Sequence, residues 1–194
     1  MKSSKAASAS VSINSLVFAL AVTGVLCGTA HAAETQVPVT FSGGHETDPK
    51  DGGRPVVLVA AALGVKPEVF REAFSGVTPA RGGKPSEDEA RRNKEALMRV
   101  LKPHGVTNDR LDEVSNYYRY QPQKGELWKT TPAKAYAVVE DDKVKRVVVT
   151  DPGSGYSMPP KALVQGMEKV GLKVTVQFSK DLKRNGAIGS VEVE

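Results

Sequence analysis

A histidine and three acidic residues follow one another in a short glycine-rich stretch: His45, Glu46, Asp48 and Asp51. An imidazole with carboxylates close by has the groups needed to bind a divalent cation or to serve as a general base. The spacing matches neither the His-Glu-x-x-His motif nor a calcium loop with acidic groups at its first, third and fifth positions. The other interpretation is a structural loop that leads into a helix, where Asp51 near the N-terminus is favourable without a ligand.

A second group combines aromatic side chains with a cation: Tyr117, Arg119, Tyr120 and, further along, Trp128. Such rings could stack on the sugars of a glycan or contact a protein partner. The alternative is packing, because Tyr118 continues the apolar stripe of a predicted helix, and tyrosines at a helix end often cover a core. The sequence leaves both interpretations open.

Motifs for covalent or cofactor chemistry do not stand out in the sequence. Ser154 lies in Gly-Ser-Gly-Tyr-Ser, which differs from the Gly-x-Ser-x-Gly nucleophile elbow and precedes two prolines rather than a helix. The chain also lacks a phosphate-binding loop and a dinucleotide fingerprint. We therefore predict no catalytic residue and no cofactor.

The start of the chain has the pattern of an export signal. Lys2 and Lys5 precede an apolar run at 16–26, and an Ala-His-Ala site follows at 30–32. A basic start, an apolar run too short to span a bilayer and a small-x-small site predict a secretory signal peptide at 1–32. The alternative is an uncleaved membrane anchor. We expect a periplasmic or secreted protein with no membrane span after cleavage.

Cleavage would leave 162 of the 194 residues, enough for one domain with a substantial core. It would also remove the only cysteine, Cys27, so the mature chain would carry no disulfide and no cysteine metal site. The mature chain would hold 25 basic and 22 acidic side chains, a net charge of +3. This balance is too mild and dispersed for nucleic acid, which we do not expect as a partner.

The rest of the chain divides by composition into four parts. A polar, glycine-rich loop is expected at 33–54, a helical region at 55–120, a connection at 121–132 and a β region at 133–194. Four helices are predicted from their N-terminal signals: at Pro55, where valines keep a strand possible, at Pro67, at Ser86 with Glu89 in a capping box, and at Thr107 or Asn108.

Apolar and polar residues alternate in the β region, and the pattern occurs twice. Ala135, Ala137 and Val139 return as Val174, Val176 and Phe178, and a second strand follows each set. We expect two similar hairpins paired in one antiparallel sheet against the helices, an α+β fold. The side chains expected to face the helices are Ala135, Ala137, Val139, Val147, Val174, Val176, Phe178, Val191 and Val193.

The turn between the two hairpins carries a recognisable motif. Gly153 and Gly155 favour positive φ, and Tyr156 is predicted to be anchored by the turn they form. The stretch from Val147 to Pro160 resembles a Gly-x-Gly-Tyr β-repeat of bacterial extracellular and phage tail-fibre proteins. That likeness implies a structural element and surface exposure rather than an activity.

The chain beyond residue 32 is also similar to exported bacterial proteins of uncharacterised function. Such proteins combine a Gly-Gly-His-Glu-Thr-Asp loop, here at 43–48, with a Leu-Gly-Val-x-x-x-x-Phe helix start, here at 63–70. The likeness implies export and a shared fold. We expect an exported, non-enzymatic structural or interaction module that contacts an envelope or extracellular protein or a glycan. The alternative is a small hydrolase or metal-dependent enzyme centred on the His45 loop.

Overall fold

The computed structural model describes residues 34–78, 85–120 and 124–194; the expected signal peptide at 1–32 lies outside these ranges. Helices and antiparallel strands together confirm the predicted α+β class. The α-helices are α1 (Val56–Leu63), α2 (Pro67–Ser75), α3 (Glu87–Leu101) and α4 (Asn108–Tyr117). The strands are β1 (Thr35–Ser42), β2 (Lys134–Glu140), β3 (Lys143–Asp151), β4 (Lys161–Val164), β5 (Leu172–Gln177) and β6 (Ala187–Val193).

The helices begin at the predicted signals. Helix α1 follows Pro55, so the strand alternative for this segment is wrong. Helix α3 starts with the reciprocal capping box between Ser86 and Glu89, and the Thr107 hydroxyl accepts a hydrogen bond from the amide of Arg110 at the start of α4. In the described part of the chain, no helix is both long and apolar enough to cross a membrane.

Strand β1 lies inside a four-stranded antiparallel sheet of order β3-β2-β1-β4. The segment 33–54 was expected to be a loop, and this expectation is wrong for its first part. Pro38 sits in β1 opposite Tyr136 of β2. The Pro38 carbonyl points toward β4, where it accepts from Gln165, and β4 pairs with β1 only from Val39 onward. In an antiparallel strand the N–H and C=O of one residue point to the same side. The missing N–H of Pro38 therefore removes no hydrogen bond to β2, which allows proline in this strand.

The two predicted hairpins form, but they lie in different sheets. Hairpin β2–β3 belongs to the four-stranded sheet, whereas β5 and β6 make a two-stranded sheet of their own, so the prediction of one common sheet is wrong. The pairs Ala137–Val147 and Val174–Val191 hold equivalent places, because a register shift follows each of them one residue later. The structural counterpart of Val174 is thus Ala137 rather than Ala135.

Two apolar clusters form the core. One joins the four helices with Tyr118 and Trp128. The other lies between the two sheets, whose strands β3 and β6 run side by side at one margin and β4 and β5 at the other. Seven of the nine β side chains predicted to face the helices lie in this second cluster instead: Ala135, Ala137, Val139, Val147, Val174, Val176 and Val191. The other two, Phe178 and Val193, are exposed, at 46% and 39%, because β5 ends at Gln177 and Val193 closes β6.

Candidate functional site

His45 lies in the loop between β1 and α1 and packs against aromatic rings. Its imidazole stacks on Tyr156, with centroids 5.0 Å apart and planes 26° apart, and lies 6.2 Å from the ring of Trp128. The hydroxyl of Ser157 donates a hydrogen bond to the carbonyl oxygen of Glu46 at 2.6 Å, which holds the backbone of the loop at this point. The imidazole is thus held by stacking, in a loop whose backbone is bound by Ser157.

The Nε2 atom of His45 is buried and has no hydrogen-bond partner among the described residues. Burial lowers the pKa of His45, an effect that the nearby charge of Glu46 opposes in part. The imidazole is therefore neutral at pH 7. A neutral ring with a free nitrogen is the form that accepts a proton or binds a metal.

The three carboxylates of the loop all accept hydrogen bonds, and Asp48 also lies 3.8 Å from the guanidinium of Arg71 that pairs with Asp51. Glu46 accepts from the backbone N–H of Gly44 at 2.8 Å. Asp48 accepts from the backbone N–H of Lys50 at 3.1 Å, and hydrogen bonds to Lys50 lower the pKa of Asp48. These two carboxylates stabilise the turns of their own loop.

Asp51 ties the loop to helix α2. Its buried carboxylate accepts from Nε of Arg71 at 2.7 Å and from Nη2 at 2.9 Å, a bidentate pair. Bidentate arginine–carboxylate pairs are among the stronger and more directional hydrogen bonds in proteins. Asp51 was expected to interact with the N-terminus of the following helix. Its carboxylate instead pairs with the guanidinium of Arg71 in α2.

The structure does not bring His45, Glu46, Asp48 and Asp51 together as one ligand set. Within the described ranges, no group of three or more histidine, cysteine, aspartate or glutamate side chains is placed to hold a metal ion. A cavity of about 450 Å³ borders the loop and is lined by Glu46, Asp48, Asp51 and Arg71, but His45 does not line it. The geometry matches the structural-loop interpretation.

The aromatic group divides between core and surface. Trp128 is 3% exposed, and its indole N–H donates to the carbonyl of Gly155 at 2.8 Å. Tyr120 packs edge-on against Trp128 at 5.7 Å, and its hydroxyl donates to the carbonyl of Gly53. Tyr117 is half-buried with the ammonium of Lys129 over its ring. These rings pack the connection onto the helices, and Trp128 presents no open face to a ligand.

Arg119 lies apart from the aromatic packing. Its side chain is exposed, and its backbone N–H donates to Asn116 at the end of α4. Tyr117 and Tyr118 contact each other edge-on at 5.1 Å, with Tyr118 buried. Of the four residues predicted to bind a ligand, the structure therefore packs Tyr120 against Trp128 and leaves Arg119 on the surface.

Asn185 is a buried polar residue that sequence reasoning missed. Its side-chain amide donates to the carbonyl of Leu58 at 2.7 Å and to the hydroxyl of Tyr118 at 2.8 Å. Its side-chain oxygen accepts from the N–H of Ser179 at 3.0 Å. Burial raises the pKa of Tyr118 to about 12, so its hydroxyl stays protonated. The Asn185-Gly186 dipeptide was readable only as a turn signal, which hid this link between α1, α4 and the second hairpin.

The Gly-Ser-Gly-Tyr turn has the predicted backbone. Gly153 and Gly155 have φ of +61° and +86°, and a Cβ at Gly153 would clash with the carbonyl oxygen of Thr131. The Tyr156 hydroxyl accepts from the N–H of Ala133 at 3.0 Å, and its ring is buried in the β cluster. The predicted positive φ of both glycines and the predicted contact of the Tyr156 hydroxyl with a backbone group are confirmed, although that group, Ala133, lies outside the turn.

A crevice of about 620 Å³ opens between this turn and the end of the second hairpin. We call it the turn crevice and define it by the lining residues Thr131, Asp151, Ser154, Phe178, Lys183 and Arg184. Its volume is in the range of small-molecule sites in proteins. Sequence reasoning placed Phe178 in the core and so gave no signal for this crevice.

The class defined by this fold and these sites is an α+β domain in which a helical cluster and a two-sheet β cluster are joined by buried side chains. Comparison with models of known protein families, with curated proteins and with solved structures finds no match.

Proposed function

We propose that this chain is an exported, non-enzymatic protein that serves as a folded interaction module in the periplasm or outside the cell. The observation that carries the proposal is the use of the loop carboxylates. Glu46 and Asp48 hold turns of their own loop, and Asp51 holds Arg71 of helix α2. The carboxylates of the loop thus stabilise the scaffold.

Export is supported by the sequence of residues 1–32, with its basic start, short apolar run and Ala-His-Ala site. The resemblance of the turn segment to a β-repeat of extracellular proteins points the same way. The partners that suit this setting are an envelope or extracellular protein or a glycan. The dispersed charge, a net +3 after cleavage, gives no basic surface for nucleic acid.

A rigid scaffold suits an interaction module, because the entropy cost of ordering its side chains and loops falls on folding and not on binding. Asn185 and the Asp51–Arg71 pair join parts of the chain that lie far apart in sequence. Trp128 and Tyr156 fix the connection to the Gly-Ser-Gly-Tyr turn through hydrogen bonds at both aromatic side chains. The surfaces that these contacts hold in place include the turn crevice.

A second candidate function is supported by one observation, the buried and unpartnered Nε2 of His45. A neutral imidazole with a free nitrogen is suited to a general base or a metal ligand, as expected for a hydrolase or metal-dependent enzyme centred on this loop. In such an enzyme the loop would have to rearrange, because the neighbouring carboxylates now have other partners.

The two functions are separated by one comparison. The purified exported protein and its His45→Ala variant are assayed for bound metal and for hydrolysis of ester, amide and phosphoester substrates. We expect less than stoichiometric metal and no turnover in either protein. Stoichiometric metal or measurable turnover that is lost in His45→Ala would overturn the proposed function in favour of the enzyme.

The export part of the proposal has its own test. The protein is expressed in a bacterial host, the cells are fractionated, and the mass of the recovered chain is measured. We expect the periplasmic or culture-medium fraction to hold a chain that begins at Ala33. An intact chain retained in the membrane fraction would contradict the proposed location.

A further inference from the structure

We propose that the turn crevice is a binding site for a sugar ring of a glycan. This inference rests on the proposed function and names the class of partner. Three features of the described residues carry it: an exposed aromatic side chain at the margin, a buried serine in the wall, and a lining that mixes cations with carboxylates.

The aromatic side chain is Phe178, which is 46% exposed and belongs to neither apolar cluster. It follows directly on β5, so its backbone is held by the hairpin while its ring stays at the crevice. The face of an aromatic ring carries partial negative charge and attracts polarised C–H groups. A pyranose presents such C–H groups on its apolar face, and a half-exposed phenyl ring is a suitable platform for it.

The serine is Ser154, which is 4% exposed and lines the crevice. Its hydrogen bonds to described residues are the two backbone bonds with Thr131, which leaves the hydroxyl to the crevice. The hydroxyl oxygen is not among the buried unpartnered atoms of the described residues, so it is accessible from the crevice and open to a ligand. A sugar hydroxyl is able both to donate to and to accept from Ser154.

The charges favour a polyhydroxy ligand over a simple ion. Lys183 and Arg184 are exposed and form no ion pair with any described residue. Asp151 and Asp181 also line the crevice, and each uses one oxygen, Oδ1, to accept from a backbone N–H of its own turn. Two cations and two carboxylates leave no net charge for steering an anion or a cation. Sugar hydroxyls donate to carboxylates and accept from cations, so one ring can use both kinds of group.

The experiment screens the purified exported protein against immobilised cellobiose, maltose, chitobiose and digalacturonic acid, and then titrates the strongest of them by calorimetry. We expect saturable binding that Phe178→Ala weakens at least about tenfold, as expected on loss of an aromatic anchor. Phe178→Trp should retain binding. Ser154→Ala should weaken binding while its urea unfolding midpoint stays at the wild-type value.

The matched control is Leu127→Ala, since Leu127 is another exposed apolar residue, at 55%, that does not line the crevice. Its affinity should equal that of the wild type. Binding to none of the four sugars, or binding unchanged in both Phe178→Ala and Ser154→Ala, would overturn the inference and leave the proposed function standing. Binding only of digalacturonic acid that needs Lys183 and Arg184 but not Phe178 would also overturn it. Cleavage of a bound sugar would instead contradict the non-enzymatic function.

Discussion

The side-chain amide of Asn185 donates to the hydroxyl of Tyr118 over 2.8 Å in a fully buried environment. This bond connects the end of the second hairpin to helix α4, and the same amide also reaches the carbonyl of Leu58 in α1. A buried polar side chain whose hydrogen bonds are all formed specifies one arrangement of the elements around it. The contact of Asn185 with Tyr118 therefore sets how the hairpin meets the helices.

Replacing Asn185 by alanine should lower the free energy of unfolding by about 2–4 kcal/mol, because several buried groups lose their partner at once. The measurement is urea unfolding of the purified protein. Asn116→Ala is the control, since Asn116 is exposed on α4, and it should cost under about 0.5 kcal/mol. Equal effects in the two variants would show that the buried amide does not hold the hairpin in place.

Arg71→Ala should destabilise the protein by about 2–3 kcal/mol, because it leaves the buried carboxylate of Asp51 without its counter-ion. The control is Arg91→Ala, since Arg91 pairs with Asp88 on the exposed face of α3. Exposed pairs of this kind contribute under about 1 kcal/mol. Thermal and urea unfolding would both report the difference, and a small loss in Arg71→Ala would argue against the structural role of Asp51.

The stability of the protein should fall as the pH drops from about 7 to about 5, the range in which an unfolded histidine gains its proton. The pKa of His45 is lowered in the folded state, so protons bind the unfolded chain first and shift the balance toward unfolding. Asp48 and Glu89 also have lowered pKa values, but as carboxylates they act below this range. In His45→Gln the decline over this range should be smaller, and an unchanged decline would rule out His45 as its source.

Gly155→Ala should cost clearly more stability than Gly166→Ala. Both glycines have positive φ, of +86° and +76°, but a Cβ at Gly155 would lie 2.8 Å from the carbonyl oxygen of Lys129, whereas Gly166 has nothing within 4 Å. The control isolates backbone strain, which is about 1–2 kcal/mol for an alanine in this region. Equal losses in chemical unfolding would mean that the close contact at Gly155 relaxes freely.

Phe178→Ala should cost under about 1 kcal/mol of stability, because the ring is half exposed and lies outside both apolar clusters. Ile188→Ala is the comparison, since Ile188 is 4% exposed in the cluster between the sheets. It should cost about 2–5 kcal/mol. A larger loss for Phe178→Ala than for Ile188→Ala in urea unfolding would show that the ring of Phe178 lies in the core.

Local signals allowed the helices to be predicted, and long-range pairing explains what was missed. The Ser86–Glu89 capping box and the cap at Thr107 act within one turn, so the sequence shows them directly. Strand β1 was missed because Pro38 weakens the strand pattern and because the partners of β1 lie beyond all four helices. Which sheet receives each hairpin depends on contacts between sheets, and alternation along one strand carries no information about them.

The candidate site was located in part. Sequence reasoning found the His45 loop, but the partners that decide its role, Tyr156 and Arg71, are distant in the chain. Asn185 resembled an ordinary turn residue because two of its partners, Leu58 in α1 and Tyr118 at the end of α4, are distant in the chain. A polar residue that is buried by distant elements has no local signature, since the same residue type is common in exposed turns.

The place of β1 has a consequence for the order of folding. This strand comes first among the described elements, yet it pairs with β2 and β4, which follow only after the helices. Closing so long a loop is entropically costly, and such non-local pairing slows folding. We therefore expect the helices to form early, while β1 stays unpaired until β2 is available and gains its second neighbour only with β4. Among the described strands, the first in the sequence is therefore one of the last to pair. Until it does, the four-stranded sheet stays incomplete.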